Sequence, residues 1–237
     1  MEGFSYNDIF ESKGIEYIAI IAFLILLIPF SVLLNKQKRI TKQIKKGLRF
    51  LSASILNIPQ GIYYCKNHTW AYLEKNGAAR VGLDDLLLHI VGEIQFKNLK
   101  NSGDTIQKGD LIAEIEHGGK VLSIYAPVSG EILNKNSALQ NDPSMMSDDP
   151  YGKGWIYKIK PYAWKAETNS YYLAEEASVW SQQELNRFKD FIAQSMKNYS
   201  SEPATLILQD GGEISENALT ELPEEAWKDF QQDFLKI

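Results

Sequence analysis

The stretch from residue 60 to 161 confines the fold more tightly than any other part of the chain. It offers short β-rich runs broken by turn signals and no long helical period. Ile62-Tyr63-Tyr64, Thr69-Trp70-Ala71-Tyr72-Leu73, Ala79-Arg80-Val81, Gly92-Glu93-Ile94-Gln95-Phe96, Leu111-Ile112-Ala113-Glu114-Ile115 and Val121-Leu122-Ser123-Ile124-Tyr125 read as strands. Asn76-Gly77, Gly103-Asp104, Lys108-Gly109-Asp110 and Gly118-Gly119 read as the turns between them. One short helix is predicted inside this pattern, capped by Asp84, ended by Gly92, with Leu86, Leu87, Ile90 and Val91 as its apolar face. Gly109 and Gly130 are expected to close tight turns before strands, with Pro127 at a strand start or edge and Trp155 as the anchor of a last strand.

The order of motifs in 60–161 resembles the H-protein of the glycine cleavage system, a lipoyl-carrying member of the biotinyl/lipoyl fold family. The likeness rests on Lys66-Asn67-His68-Thr69-Trp70, where the family has a lysine and then a His-Glu-Trp triplet, on Ala79-Arg80-Val81-Gly82-Leu83-Asp84, and on Gly92-Glu93-Ile94-Gln95-Phe96. It continues through Gly103, Lys108-Gly109-Asp110, Ile124-Tyr125-Ala126-Pro127-Val128-Ser129-Gly130-Glu131 and Asp148-Asp149-Pro150-Tyr151-Gly152-Lys153-Gly154-Trp155. The resemblance implies a mainly β fold, a lipoyl/biotinyl-type β-sandwich hybrid, and a lysine at a hairpin tip bearing lipoate as a swinging arm.

Here the sequence departs from the family. Aligned without gaps from Glu116 to Pro127, the lipoyl-lysine position falls on Gly119, and Lys120 comes one place later. Side chains alternate faces along a strand, so a one-residue shift moves an amine from the exposed tip toward a strand face. Two readings follow: lipoate on Lys120 with the turn slid by one residue, or a hairpin kept for structure with the carrier role lost. The second is favoured, because a lipoylating enzyme requires an amine presented in close geometry.

No independent catalytic or metal site is legible. Cys65 is the only cysteine, which excludes a disulfide framework and a cysteine-held iron–sulfur cluster. Cys65 and His68 are three apart, but with only His89 and His117 besides they make no zinc set. His117 reads as a surface-turn histidine, and Glu114 and Glu116 share a strand face without marking an acid–base pair. There is no phosphate-cradling glycine loop, no Gly-x-Ser-x-Gly elbow and no His-Glu-x-x-His motif.

Charge and hydropathy organise the remainder. Residues 17–34, YIAIIAFLILLIPFSVLL, carry no charge and as a helix would span about 27 Å, close to a bilayer's hydrocarbon core. Glu2, Asp8, Glu11 and Glu16 in residues 1–16 argue against a secretory signal, which begins with basic residues. The segment 35–59 brings Lys36, Lys38, Arg39, Lys42, Lys45, Lys46 and Arg49, with no acid until Glu74. The positive-inside rule then predicts a single-pass protein with its N-terminus outside and its main domains in the cytoplasm, residues 17–49 contacting membrane lipids. With 25 basic against 30 acidic residues and a net charge of -5, a general nucleic-acid partner is excluded.

Residues 162–237 form an α-rich extension beyond the resemblance. Ser181 and Glu184 suggest a capping box leading into Leu185, Phe188, Ile192 and Met196 at helical spacing. Thr205-Leu206-Ile207-Leu208 suggests a strand ended at Asp210-Gly211-Gly212, and Trp227, Phe230 and Phe234 a second helix starting near Pro223. The combined expectation is a membrane-anchored H-protein-like module without an activity of its own. It would serve as a non-catalytic subunit or docking domain for protein partners in a membrane complex, a redox complex being the candidate class. The alternative is a lipoyl carrier with lipoate on Lys120, moving aminomethyl, acyl or electron equivalents.

Overall fold

The computed structural model describes residues 17, 18, 20, 21, 23, 50–199 and 214–235, in two compact units, Met1–Arg49 and Phe50–Ile237. In the first unit Tyr17, Ile18, Ile20, Ile21 and Phe23 are helical and exposed. Among the described residues no helix is long and apolar enough to cross a membrane. The rest of the 17–34 run, the basic residues up to Arg49, and the strand and turn expected at 205–212 lie outside the described residues.

In the second unit the strands are β1 (Phe50–Leu51), β2 (Tyr63–Tyr64), β3 (Thr69–Leu73), β4 (Ala79–Leu83), β5 (Gln95–Asn98), β6 (Thr105–Ile106), β7 (Leu111–His117), β8 (Lys120–Tyr125), β9 (Gly130–Lys135), β10 (Tyr157–Pro161) and β11 (Ile214–Ser215). The helices are α1 (Asp85–Val91), α2 (Ala138–Asn141), α3 (Ser144–Asp148), α4 (Trp164–Thr168), α5 (Glu175–Tyr199) and α6 (Glu224–Asp229). A six-stranded antiparallel sheet runs β2-β3-β4-β10-β9-β6, a three-stranded one β5-β7-β8, and β1 pairs with β11.

Alternation along the strands puts Val81, Leu83, Ile132 and Ile159 of the large sheet and Phe96, Ile115, Leu122 and Ile124 of the small one into a single core. The Tyr157 hydroxyl donates to the Ile112 carbonyl at 2.9 Å and so joins the sheets directly. Helix α1 forms as expected: the Asp84 carboxylate accepts from the Leu87 amide at 2.8 Å, and Gly92 ends the helix at φ +68. Gly130 follows the bend at 127–128 and opens β9, where a Cβ would collide with the Lys160 carbonyl oxygen, so bareness is what lets β9 and β10 approach.

The C-terminal region differs more. Helix α5 begins at Glu175, so Ser181 lies inside it as a buried residue and no capping box forms there. Leu185, Phe188 and Ile192 are buried as their spacing predicts. Pro223 precedes α6, which widens into a π-helical turn at Phe230–Phe234, and Trp227, Phe230 and Phe234 are all buried. These side chains belong to the same core as the sheets, and α5 and the 214–235 segment are integral to the β unit.

Candidate functional site

Strands β7 and β8 make a hairpin closed by Gly118 and Gly119, whose φ angles of +58 and +84 suit a two-residue I′-type turn. His117 and Lys120 are the last facing pair before it. Alternation then puts Lys120 on the face of Leu122 and Ile124, both buried, whereas Val121 points out and is exposed. The tip consists of two glycines, and a Cβ at Gly119 would meet nothing within 4 Å. The Lys120 amine therefore starts from the inward side of a strand, not from the tip of the hairpin.

That side is occupied by residues 214–235, which act as a strap. The Lys120 Nζ donates to the carbonyls of Thr220 at 2.8 Å and Leu222 at 2.6 Å, and lies 5.6 Å from the centroid of the Trp227 ring. Two carbonyl dipoles and an aromatic face make a good ammonium receptor, and here a lysine of the same chain fills it. His117 stacks on the other partner of this contact, Trp227, with centroids 6.4 Å apart and rings 16° from parallel. Trp227 is fixed in turn by donating Nε1–H to the Leu219 carbonyl at 2.7 Å. Further along, the Ser123 amide donates to Gln231 Oε1 at 2.7 Å.

The strap's other end meets His68, which is fully buried and takes a left-handed φ of +59. His68 Nδ1 is 2.8 Å from Asp84 Oδ2, and Nε2 stands 3.4 Å from Glu184 Oε2, an ion-pair approach without hydrogen-bond alignment. The ring stacks on Phe234, 8° from parallel with centroids 5.4 Å apart, and packs against Trp180 at 5.3 Å. Burial alone would push the imidazole toward its neutral form. The charge and hydrogen bond of Asp84, then the nearby carboxylate of Glu184, outweigh it and raise the pKa to about 9, so the ring is cationic at neutral pH. Burial likewise pushes Glu184 up, but His68 and then Arg187 reverse this and hold it below the usual carboxylate range. Arg187 also donates to the Phe234 carbonyl at 2.8 Å.

Known proteins account for this architecture. The glycine cleavage H-protein model matches residues 62–184, more than half of the chain. The chain belongs to the glycine cleavage H-protein family. Among similar proteins, the glycine cleavage system H protein of Psychrobacter sp. (strain PRwf-1) is 38% identical over 105 residues, covering 44% of this chain and 83% of that protein. The probable H protein of Thermococcus kodakarensis is 38% identical over 104 residues, covering 44% and 77% respectively. A solved H protein from Mycobacterium marinum, 30% identical, aligns with a TM-score of 0.47 over 52% of this chain and 98% of that one.

H-proteins carry lipoate on a lysine and are carriers rather than catalysts, and membership of that family is consistent with a non-enzyme carrier role for this domain. The family match runs past residue 161 to 184 and takes in the N-terminal part of α5 up to Glu184. Of the residues singled out from sequence, Lys120 and His117 are brought together by Trp227, while Cys65 stays apart from any metal-binding group of His, Cys, Asp and Glu among the described residues. Glu114 pairs with Lys97 at 3.0 Å on the outer face. Sequence reasoning missed the Thr220 and Leu222 carbonyls and the Asp84–His68–Glu184 group. Backbone acceptors have no residue signature, and an Asp already explained as a helix cap gave no reason to seek a second partner.

Proposed function

We propose that this chain is a membrane-anchored H-protein-like module whose hairpin docks its own C-terminal segment instead of carrying lipoate. It would serve as a non-catalytic subunit or docking domain of a membrane-associated complex. The observation that carries this reading is the capture of the Lys120 amine by the Thr220 and Leu222 carbonyls beside a tip made only of Gly118 and Gly119. An amine engaged with two acceptors is a poor substrate for an enzyme that must acylate it. Membrane attachment is supported by the uncharged run 17–34 followed by Lys36, Lys38, Arg39, Lys42, Lys45, Lys46 and Arg49, which favours an outside N-terminus and a cytoplasmic carrier domain. A tether of this kind raises the module's local concentration at membrane partners.

Family membership and the presence of Lys120 directly beside the turn favour a second reading, a lipoyl carrier with lipoate on Lys120. Intact-mass analysis of the full chain from lipoate-replete cells separates the two. The expected product is the unmodified mass; a lipoyl adduct on the Lys120 peptide overturns the first reading in favour of the second. Extraction of those membranes at alkaline pH should leave the chain in the pellet, and release into the supernatant would remove the anchor.

A further inference from the structure

The grip on Lys120 is reciprocal. The strap needs a cationic amine with several N–H donors, because two carbonyls from one short segment converge on it, Thr220 O at 2.8 Å and Leu222 O at 2.6 Å, beside the Trp227 ring. An acylated lysine keeps one N–H, loses its charge, and adds a carbonyl and its substituent where Thr220, Leu222 and Trp227 now stand. We infer that docking of 218–222 and acylation of Lys120 are mutually exclusive, so that the strap gates the amine and acylation of the amine releases the strap. This inference rests on the reading of Lys120 as a docked side chain and adds its regulation.

The geometry favours a local gate rather than a detachable tail. Thr220 and Leu222 are held from the backbone only by a tight turn, with the Thr220 amide donating to the Asn217 carbonyl at 2.9 Å and the Leu222 amide to the Leu219 carbonyl at 3.2 Å. On either side the strap is fixed independently of the lysine. The Asn217 amide donates to the His89 carbonyl at 2.8 Å, and Phe234 stacks on His68. Ala218, Leu219 and Leu222 are themselves core residues, so what acylation displaces is the hold of the Thr220 and Leu222 carbonyls on the amine while the flanks stay in place. By linkage, whatever free energy docking withholds from acylation is the free energy acylation withholds from docking.

Two measurements on the full chain test this. N-hydroxysuccinimidyl acetate acylates a free amine: the lysine N–C bond forms, the ester C–O bond breaks, N-hydroxysuccinimide leaves, and the lysine proton passes to water. Read lysine by lysine by mass spectrometry, Lys120 should react about tenfold more slowly than Lys97, whose side chain is 69% exposed. Equal rates would overturn the docked reading itself. In Lys120→Gln, which removes the charge, amide exchange at Thr220 and Leu222 should accelerate about tenfold, with exchange in 185–192 of α5 unchanged and the slow rate restored in Lys120→Arg. Slow labelling of Lys120 together with unchanged exchange in Lys120→Gln would overturn the gate while leaving the docked reading standing.

Discussion

The strap grips the carrier domain at two places built on opposite principles. At the hairpin, a half-buried ammonium meets two backbone carbonyls and an indole at the edge of the core, an arrangement that water can replace at modest cost. At the far end a fully buried imidazolium lies between two carboxylates and two aromatic rings, and nothing can replace its partners once one is lost. The difference separates two jobs. The His68 end makes the extension part of the domain, and the Lys120 end is the part that can exchange.

The largest effect that would break this division is at His68. Removing the ring in His68→Ala leaves a cavity between Asp84 and Glu184, strips the buried Asp84 of its cationic partner and takes the stacking surface from Phe234. We expect a loss of about 3–5 kcal/mol in denaturant unfolding. A loss under about 1 kcal/mol would mean that the buried group does not hold the extension.

The next effect is in pH. The folded pKa of His68 is raised to about 9 from its ordinary 6.5, so the stability it contributes is fully present below 6.5 and is lost as pH rises through about 9. The change amounts to roughly 3 kcal/mol. The depressed Glu184 works in the other direction, its contribution being lost only in acid, below the ordinary carboxylate range. Unfolding free energies measured from pH 6 to 10 should therefore fall more steeply in the native chain than in His68→Gln. Parallel curves would show that the imidazole is neutral when folded.

How much of this was legible in the sequence follows from range of interaction. The hairpin turn was readable because two adjacent glycines impose it locally, and α1 because its cap, stripe and stop all lie within nine residues, Asp84 to Gly92. Strands β9 and β10 are signalled only at their edges, by Gly130 and Trp155, and their extents and pairing are not: the close approach of Gly130 to Lys160 joins positions 30 apart. The start of α5 was misplaced because Ser181 and Glu184 have capping-box spacing, yet Glu184 serves a histidine in another element. Lys120 was identified as displaced, but what received it was two carbonyls about a hundred residues away, a contact that only the fold creates.

The smallest effect on stability gives the sharpest test of the hairpin end. Gly119 is the position expected from the sequence to match the family's lysine, and open space surrounds it, so Gly119→Lys introduces an amine at the tip of the hairpin. The φ of +84 disfavours an L side chain there and should cost about 1 kcal/mol of stability, small against the His68 variant. Expressed beside a lipoylating enzyme, this variant should gain a lipoyl adduct on the side chain introduced at 119 and stay unmodified at Lys120. That result would show that the surrounding fold still presents a recognisable tip, and would support the proposal that the residue shift and the strap's hold on Lys120 keep it from lipoate. If the introduced amine is also left bare, the departure from the family extends beyond the turn to the surface that the lipoylating enzyme reads. If Lys120 is modified instead, the exchangeable end of the strap yields to an enzyme without help, and the two ends differ less than their geometry implies.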